Sequence, residues 1–398
     1  MVTVPYAILS VDADFNAGGN VPFDSAFGGL LAIVRRNGVP VGSMLFHGHP
    51  PTTLNGLLNQ VDYRPDDPPA AVATPVRITV AVCTKDRPEL LARCLASVRT
   101  ALSEAGPEVV GDLVVVDNAS SDQRTRSVAI DAGAICVRAD VPGLDIARNA
   151  AVAAATGEVV AFIDDDVVVD GSWARTLARA FASRPDAMAV TGQVRALRLD
   201  TLAQVEFERT GGFSLGWSPI TFALGASPGV PFGRSVGVGC NMAFRRDLFR
   251  HIGPFDDALD TGRPMPGGGD LDILVRTMLV GAVVYEPSAL VFHDHRTDFK
   301  ALRYQYYTWG KGYAVLLAKW YQTAPEWRAE VRAAARLRVR GYLRDLVRNR
   351  RSLGGHRRVD AALMMLGFAT GATGSYGRSQ RRMAKRKAAV LAAPPKES

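Results

Sequence analysis

The run Val159-Val160-Ala161-Phe162-Ile163 leads directly into Asp164, Asp165 and Asp166, and this junction constrains the fold more than any other stretch of the chain. Five consecutive apolar residues read as a strand covered on both faces, the habit of parallel sheets. Three adjacent carboxylates beside such a strand repel one another and resist ionisation next to a low-dielectric core. A cation relieves that repulsion. In extended backbone alternate side chains share a face, so the spacing predicts that Asp164 and Asp166 converge on one ion while Asp165 points elsewhere. Hard oxygen donors select Mg2+ or Mn2+, commonly with a phosphate. The alternative is a solvated acidic loop.

The surrounding pattern favours the first reading. Ile78 to Val82 forms a β-branched run ending at Thr84, and Pro88 opens a helical stretch through Thr100. Leu113 to Val116 ends at Asp117-Asn118, Ile135 to Val137 is a further short strand, and a helix is expected over roughly Ile146 to Ala155. Apolar strands joined by helices pair in parallel, and ligands of such sheets lie at the carboxyl ends of the strands. Thr84, Asp117 and Asp164 to Asp166 all fall at such ends.

Two flanking regions differ from this α/β pattern. Residues 1–75 read as a small β-rich accessory region, because Asn37-Gly38 between the apolar runs Leu30–Val34 and Val39–Phe46 is a two-residue hairpin turn. A linker is expected over Asp66 to Ala71. Residues 301–398 read as helical and strongly basic. From 328 onward there are 18 Lys and Arg against four Asp and Glu, so the formal charge of +8 combines a tail of +14 with a body of −6. Trp327, Val331, Ala335, Val339, Leu343 and Val347 form an i, i+4 apolar series beside Arg328, Arg332, Arg336, Arg340, Arg344 and Arg348, the pattern of an amphipathic cationic helix. This predicts attachment to an anionic membrane surface, or packing on the catalytic body with solvated arginines. No apolar run approaches the roughly 20 residues of a membrane span, and the first residues do not read as a signal peptide. A cytoplasmic location, free or peripheral on the inner face of the plasma membrane, is expected. Cys83, Cys94, Cys136 and Cys240 form no paired motif and read as small hydrophobes. The tail has the charge for nucleic acid but no recognisable module, so none is expected as a partner.

Taken in order, Thr84-Lys85-Asp86-Arg87-Pro88, Val116-Asp117-Asn118-Ala119-Ser120-Ser121-Asp122, Ala147-Arg148-Asn149 and Phe162-Ile163-Asp164-Asp165-Asp166 resemble family 2 glycosyltransferases of the GT-A fold. The likeness continues through Gly239 to Arg246, Gly253-Pro254-Phe255-Asp256, Gly269-Asp270-Leu271-Asp272 and Val291-Phe292-His293-Asp294-His295, and covers about residues 76–315. It implies a Rossmann-like, mostly parallel sheet over 76–300. The implied activity is inverting transfer of a sugar from a nucleoside-diphosphate sugar to a hydroxyl of a glycan, lipid-linked or small-molecule acceptor. A catalytically silent nucleotide-sugar-binding protein is the alternative.

By the same resemblance Asp117 and Asn118 meet the nucleotide base, and Thr84, Arg87, Arg148 and Asn149 line the nucleotide and diphosphate side. Arginine suits that duty because its planar fork pairs two phosphate oxygens. Asp164 or Asp165 reaches the ribose and Asp166 binds Mn2+ or Mg2+. His293 is the implied second metal ligand, with His295 on the same face if the segment stays extended. Asp270 is the implied general base that takes the acceptor proton. Related sequences often carry Glu before this aspartate; here the position is Gly269.

Overall fold

The computed structural model describes residues 3–13, 20–64, 67–224, 232, 236–262, 267–347, 351–352 and 355–392. Asp66 of the expected linker and Arg348 of the arginine series lie outside the described residues.

The N-terminal strands β1 (Ala7–Asp12), β2 (Gly29–Arg36), β3 (Val39–His47) and, after helix α1 (Leu54–Leu58), β4 (Asp62–Tyr63) form a four-stranded sheet in chain order. The β2–β3 hairpin turns on Asn37 and Gly38 at φ +50° and +73°, as Asn-Gly predicts. Strand β2 is apolar from Leu30 to Val34 because both faces of that stretch are covered. Leu31 and Ile33 pack with Tyr6 against Leu199, Trp217 and Leu290, while Leu30, Ala32 and Val34 close over Val41, Leu57 and Val61.

The central unit runs β5 (Val76–Thr84), α2 (Pro88–Glu104), β6 (Val109–Asp117), α3 (Arg124–Asp131), β7 (Ile135–Arg138), α4 (Leu144–Ala154) and β8 (Val159–Asp164). It continues through β9 (Val167–Val169), α5 (Trp173–Ser183), β10 (Ala187–Ala196), α6 (Leu202–Arg209), β11 (Ile220–Phe222), β12 (Asn241–Arg245), α7 (Leu248–Ile252), α8 (Gly269–Met278) and β13 (Ala282–His293). These strands form one sheet, β11-β13-β10-β12-β8-β5-β6-β7, with β9 added against β13. The β8-β5-β6-β7 half is parallel, and β12 is inserted antiparallel between β8 and β10. This is the mostly parallel, helix-flanked α/β sheet that the sequence implies.

Alternation along the strands divides the core into two layers. Ile78, Val80 and Val82 join Ala161 and Ile163 under α2 and α5, whereas Ala81, Val114, Val116, Val160 and Phe162 face α4, α8 and the C-terminal helices. Register then sets the rim: Thr84 pairs with Asp117, Cys83 with Asp164 and Asp117 with Arg138. Four chemically loaded residues therefore arrive on adjacent rungs at the carboxyl edge.

Beyond β13 come α9 (Phe299–Thr323), α10 (Arg328–Val347), the short strands β14 (Arg351–Ser352) and β15 (Gly355–His356), α11 (Arg357–Ala372) and α12 (Ser375–Ala392). The expected phase of α10 is corrected. Its inward face is Val331, Ala334 and Tyr342, while Leu343 and Val347 of the expected apolar series are exposed together with Arg328, Arg332, Arg336, Arg340 and Arg344. The basic segment of α12 is partly docked, with Met383 buried, Arg386 donating to the carbonyls of Pro142 and Thr261, and Lys387 paired with Asp257. Among the described residues no helix is long and apolar enough to cross a membrane. All four cysteines are free thiols, with Cys94 and Cys240 fully buried.

Candidate active site

The acidic triplet does not stay extended. β8 ends at Asp164, and Asp165 and Asp166 lie in a turn, so the expected convergence of Asp164 with Asp166 by strand alternation is replaced by a turn that splits the three carboxylates. Asp165 accepts from Thr84 Oγ1 at 2.6 Å and from Arg87 Nη1 at 3.0 Å. Asp166 lies 3.7 Å from the same guanidinium through Oδ2 and 3.4 Å from His293 Nε2 through Oδ1. Burial, then the neighbouring Asp166, pushes the Asp164 carboxyl up to about 7. Burial also raises Asp165, against the pull of Thr84 and Arg87. Arg87 is half exposed, so the edge of its guanidinium that does not meet Asp165 faces the cleft.

Two loops close the adjacent end of the rim. Asp117 accepts from the Ser120 amide at 2.9 Å and pairs with Arg138 Nη1 at 2.5 Å. The Ser121 amide donates to Asp86 Oδ1 at 2.6 Å, tying this loop to the one after β5. Asp86 and Ala119 both adopt left-handed backbone, at φ +54° and +60°, a conformation that costs a non-glycine residue about 1 kcal/mol or more and gathers at functional sites. Asn118 does not present its amide to a nucleotide as expected: Oδ1 accepts from the Gly143 amide at 2.9 Å and Nδ2 donates to the Val141 carbonyl at 3.1 Å, fixing the entry to α4. Asn149 is likewise committed, exchanging two hydrogen bonds with the Phe255 backbone. Arg148 is also placed differently from the expectation. It is buried and paired through Nη1 with Asp145 at 2.9 Å and Asp260 at 3.1 Å.

Across Asp164 stands Asp270, in the first turn of α8. Its Oδ2 accepts from the Gly239 amide at 3.0 Å and its Oδ1 from the Leu271 amide at 2.8 Å. Both bonds fix the orientation of the carboxyl group at the start of the helix. Gly239 precedes β12, whose Asn241 pairs with Ile163 beside the triplet; Asp270 thus lies near enough to Asp164 for the two carboxyl groups to repel. Asp272 is turned into the interior, held by Arg276, Lys319 and Trp320.

The two histidines are not equivalent. His293 Nδ1 lies 3.0 Å from His295 Nδ1, and His295 Nε2 lies 3.2 Å from Glu208 Oε1. Burial alone would raise Glu208, but Arg195 and His295 keep it below its ordinary value; it is an ionised acceptor. Assigning the protons so that His295 donates to Glu208 through Nε2 and accepts from His293 Nδ1–H at its own Nδ1 leaves His293 Nε2 with a lone pair. Burial lowers His293 to about 4, so the ring is neutral. That lone pair faces Asp166 Oδ1, a buried oxygen with no hydrogen-bond partner. Two facing acceptors with no proton between them fit a cation, and a ring fixed by donation from its other nitrogen is how metal-binding histidines are held. Among the described residues no three His, Cys, Asp or Glu side chains converge as a metal cluster. Two protein ligands suit an ion that takes its other oxygens from water and phosphate.

Nothing in the sequence pattern singles out Arg138, Asp145, Asp260, Arg195 or Glu208 for a role. Asp145 had a local signal, three residues before Arg148 on one helix; Asp260 and Glu208 are brought in by tertiary packing alone. Behind His295, Phe207 separates the rim from a cavity of about 630 Å³ between α9, α10 and α11, lined by Tyr306, Trp309, Tyr313, Arg338 and Tyr342.

Residues 79–253 match the profile of the family described as Glycosyl transferase family 2. The chain is 35% identical over 140 residues to a TPR repeat-containing protein of Synechococcus elongatus, a match covering 34% of this chain and 31% of that protein. It is 30% identical over 156 residues to a pre-mycofactocin glycosyltransferase of Mycobacterium tuberculosis, covering 39% and 30%. To a glucosyl-dolichyl phosphate glucuronosyltransferase of Haloferax volcanii it is 26% identical over 220 residues, covering 52% and 66%. The chain spans about a third of the length of the first two relatives.

Proposed function

Because the chain belongs to glycosyl transferase family 2 through residues 79–253, we propose that it transfers a sugar, with inversion, from a nucleoside-diphosphate sugar to an acceptor hydroxyl. The observation that carries the reading is the cleft itself: Asp166 and His293 present facing lone pairs on one side of Asp164, and Asp270 is held by two backbone amides on the other.

Each group has a task that its surroundings suit. The base of the donor lies against Asp117, whose remaining lone pairs accept a ring N–H while Ser120 and Arg138 fix the carboxylate. Asp165 is engaged with Thr84 and Arg87, which leaves Asp164 for the ribose. The cleft-facing edge of Arg87 meets phosphate oxygens. Asp166 and His293 hold Mn2+ or Mg2+, which when bound neutralises charge on the leaving diphosphate. Asp270 orients the acceptor hydroxyl and takes its proton as the oxygen attacks the anomeric carbon from the face opposite the diphosphate. A carboxylate with one lone pair on each oxygen already fixed by an amide cannot swing away from that proton.

The acceptor is a glycan, a lipid-linked sugar or a small alcohol. The exposed arginines of α10, with Leu337, Leu343 and Val347 exposed among them, support attachment to an anionic membrane surface. We further propose residues 1–75 as an accessory unit to a catalytic unit over 76–300.

One panel tests the assignment. Thermal shifts are recorded with UDP-, GDP- and dTDP-sugars with and without Mn2+, and hydrolysis or transfer is followed for the nucleotide sugar that shifts most. Asp270→Asn is expected to keep the donor shift and lose turnover by at least about 100-fold, while Asp166→Asn and His293→Ala lose the Mn2+-dependent part of the shift. Full turnover in Asp270→Asn removes the base assignment.

A further inference from the structure

Gly269 and Asp145 occupy one place in the cleft from two directions. A Cβ built on Gly269 would come closer than 3.0 Å to three atoms, and all three belong to the carboxyl group of Asp145. The backbone at 269 is an ordinary first-turn helical position with no left-handed φ. Residue 269 therefore needs glycine only because Asp145, projecting from the first turn of α4, fills the volume in which its side chain would stand.

Asp145 is fully buried, and its Oδ2 has no hydrogen-bond partner. Its Oδ1 accepts from Arg148 Nη1 at 2.9 Å, and Asp260 accepts from the same nitrogen at 3.1 Å. Asp260 also accepts from the Gly269 amide, 3.1 Å away. The far side of the guanidinium reaches the reacting end of the cleft: a Cβ on Gly239 would lie 2.7 Å from Arg148 Nη2 and 3.2 Å from Asp270 Oδ2. A buried arginine gripped by two carboxylates at one nitrogen is thus aimed so that its other nitrogen packs on Gly239, whose amide donates to the carboxylate that accepts a proton. A buried carboxyl oxygen without a partner is costly, so Asp145, paired with Arg148 through Oδ1 alone, is a group that calls for a reason.

Resting on the assignment of Asp270 as the base, we infer that Asp145 is a positioning residue for it: a carboxyl group supplied by α4 beside the start of α8 that holds Arg148 against Gly239, whose amide orients Asp270. The role is one of geometry. A side chain at 269 can take the same place only if Asp145 vacates it.

The test is a pair of exchanges, read as kcat and KM for the nucleotide sugar that gives the largest thermal shift, with water or an added sugar alcohol as acceptor. Asp145→Ala is expected to lower kcat roughly 100-fold, the scale of a lost pre-organised contact, with donor KM changed less than about threefold. Asp145→Asn keeps an acceptor for Arg148 and is expected to retain kcat within about fivefold. The double exchange Asp145→Gly with Gly269→Asp returns the carboxyl from the other backbone and is expected to recover at least about tenfold over Asp145→Ala. An Ala variant keeping more than half of kcat, or a double variant no faster than Asp145→Ala, overturns the inference. Asp145→Ser replaces Ala if that variant does not fold. Unchanged kcat in Asp270→Asn would instead overturn the base assignment on which it rests.

Discussion

The link between the N-terminal sheet and the catalytic sheet offers the sharpest energetic test. Arg64, just after β4, reaches Glu286 in the middle of β13, 222 residues away, with Nη1 2.5 Å from Oε1. The same nitrogen donates to Ser288 Oγ at 2.8 Å, and the Ser288 amide donates to Glu286 Oε1 at 2.9 Å. Both charged side chains are only 4% exposed. Replacing Arg64 with Ala leaves a buried carboxylate whose counter-charge has gone, which costs about 3–5 kcal/mol, and removes the apolar packing of the arginine stem. Each kcal/mol is a few degrees of melting temperature in a chain of this size, so the loss is on the order of 10 °C. Glu286→Gln combined with Arg64→Met removes both charges and keeps both volumes, and is expected to fall within about 2 kcal/mol of the parent. The assay is denaturant unfolding of the parent, Arg64→Ala and the double variant, followed by far-UV circular dichroism. A loss below about 1 kcal/mol in Arg64→Ala, or a double variant as damaged as that single one, would refute the reasoning, because the pair would then be solvated or bridged by other groups.

Two further outcomes follow from charge. Burial, then Asp270, pushes the Asp260 carboxyl up to about 6 against an ordinary 3.8, with Arg148 opposing; the folded state binds the proton more tightly, so this group's contribution to stability is complete below about pH 4 and lost as pH rises through 6. Asp260→Asn keeps an oxygen for Arg148 and the Gly269 amide and suits the left-handed φ of +46°, so its stability relative to the parent should rise by up to about 3 kcal/mol between pH 4 and pH 8, measured by urea unfolding; parallel pH profiles would contradict this. For the tail, sedimentation with vesicles containing phosphatidylglycerol should pull the protein down at low salt and release it as salt rises, with Arg332, Arg336 and Arg340 exchanged together for Gln weakening binding by about 3 kcal/mol; indifference to anionic lipid removes the membrane proposal.

What the sequence made legible is what strand alternation and strand ends control. The apolar runs before Thr84, Asp117 and Asp164 had to be strands buried on both faces, and parallel register then put those residues side by side. Periodicity fails where the backbone changes course. Asp165 and Asp166 leave the strand, so alternation no longer describes them, and β13 ends at His293, which turns His295 inward to Glu208. β12 was legible as a motif but not as a strand inserted antiparallel, since its pairing with β8 is a tertiary choice. Arg148 and Asn149 lie on the inner face of α4, and only packing reveals that their partners are Asp260 and Phe255, 112 and 106 residues away. In α10 a regular i, i+4 series drifts round the helix at 3.6 residues per turn, which is why Val331 is buried and Val347 is not.

The same charges that make the cleft costly also make it selective. Asp164, Asp165, Asp166, Asp145, Asp260 and Asp270 are gathered around two guanidinium groups, those of Arg87 and Arg148. Arg148 already serves two carboxylates through Nη1, so among the described residues a diphosphate entering near the triplet meets chiefly Arg87 against several like charges. At 4 Å each such pair is worth about 4 kcal/mol in a partly buried environment, and one half-exposed arginine that already serves Asp165 does not offset them. A nucleoside diphosphate should therefore bind weakly in chelator, and its affinity should rise steeply with a divalent cation, whereas a nucleoside lacking phosphates should bind equally with and without it. Calorimetric titrations of the nucleoside and its diphosphate, each with EDTA and with Mn2+, separate the two; diphosphate binding of equal strength in EDTA would mean that positive charge reaches the rim from residues other than Arg87, and that the facing lone pairs of Asp166 and His293 serve another purpose.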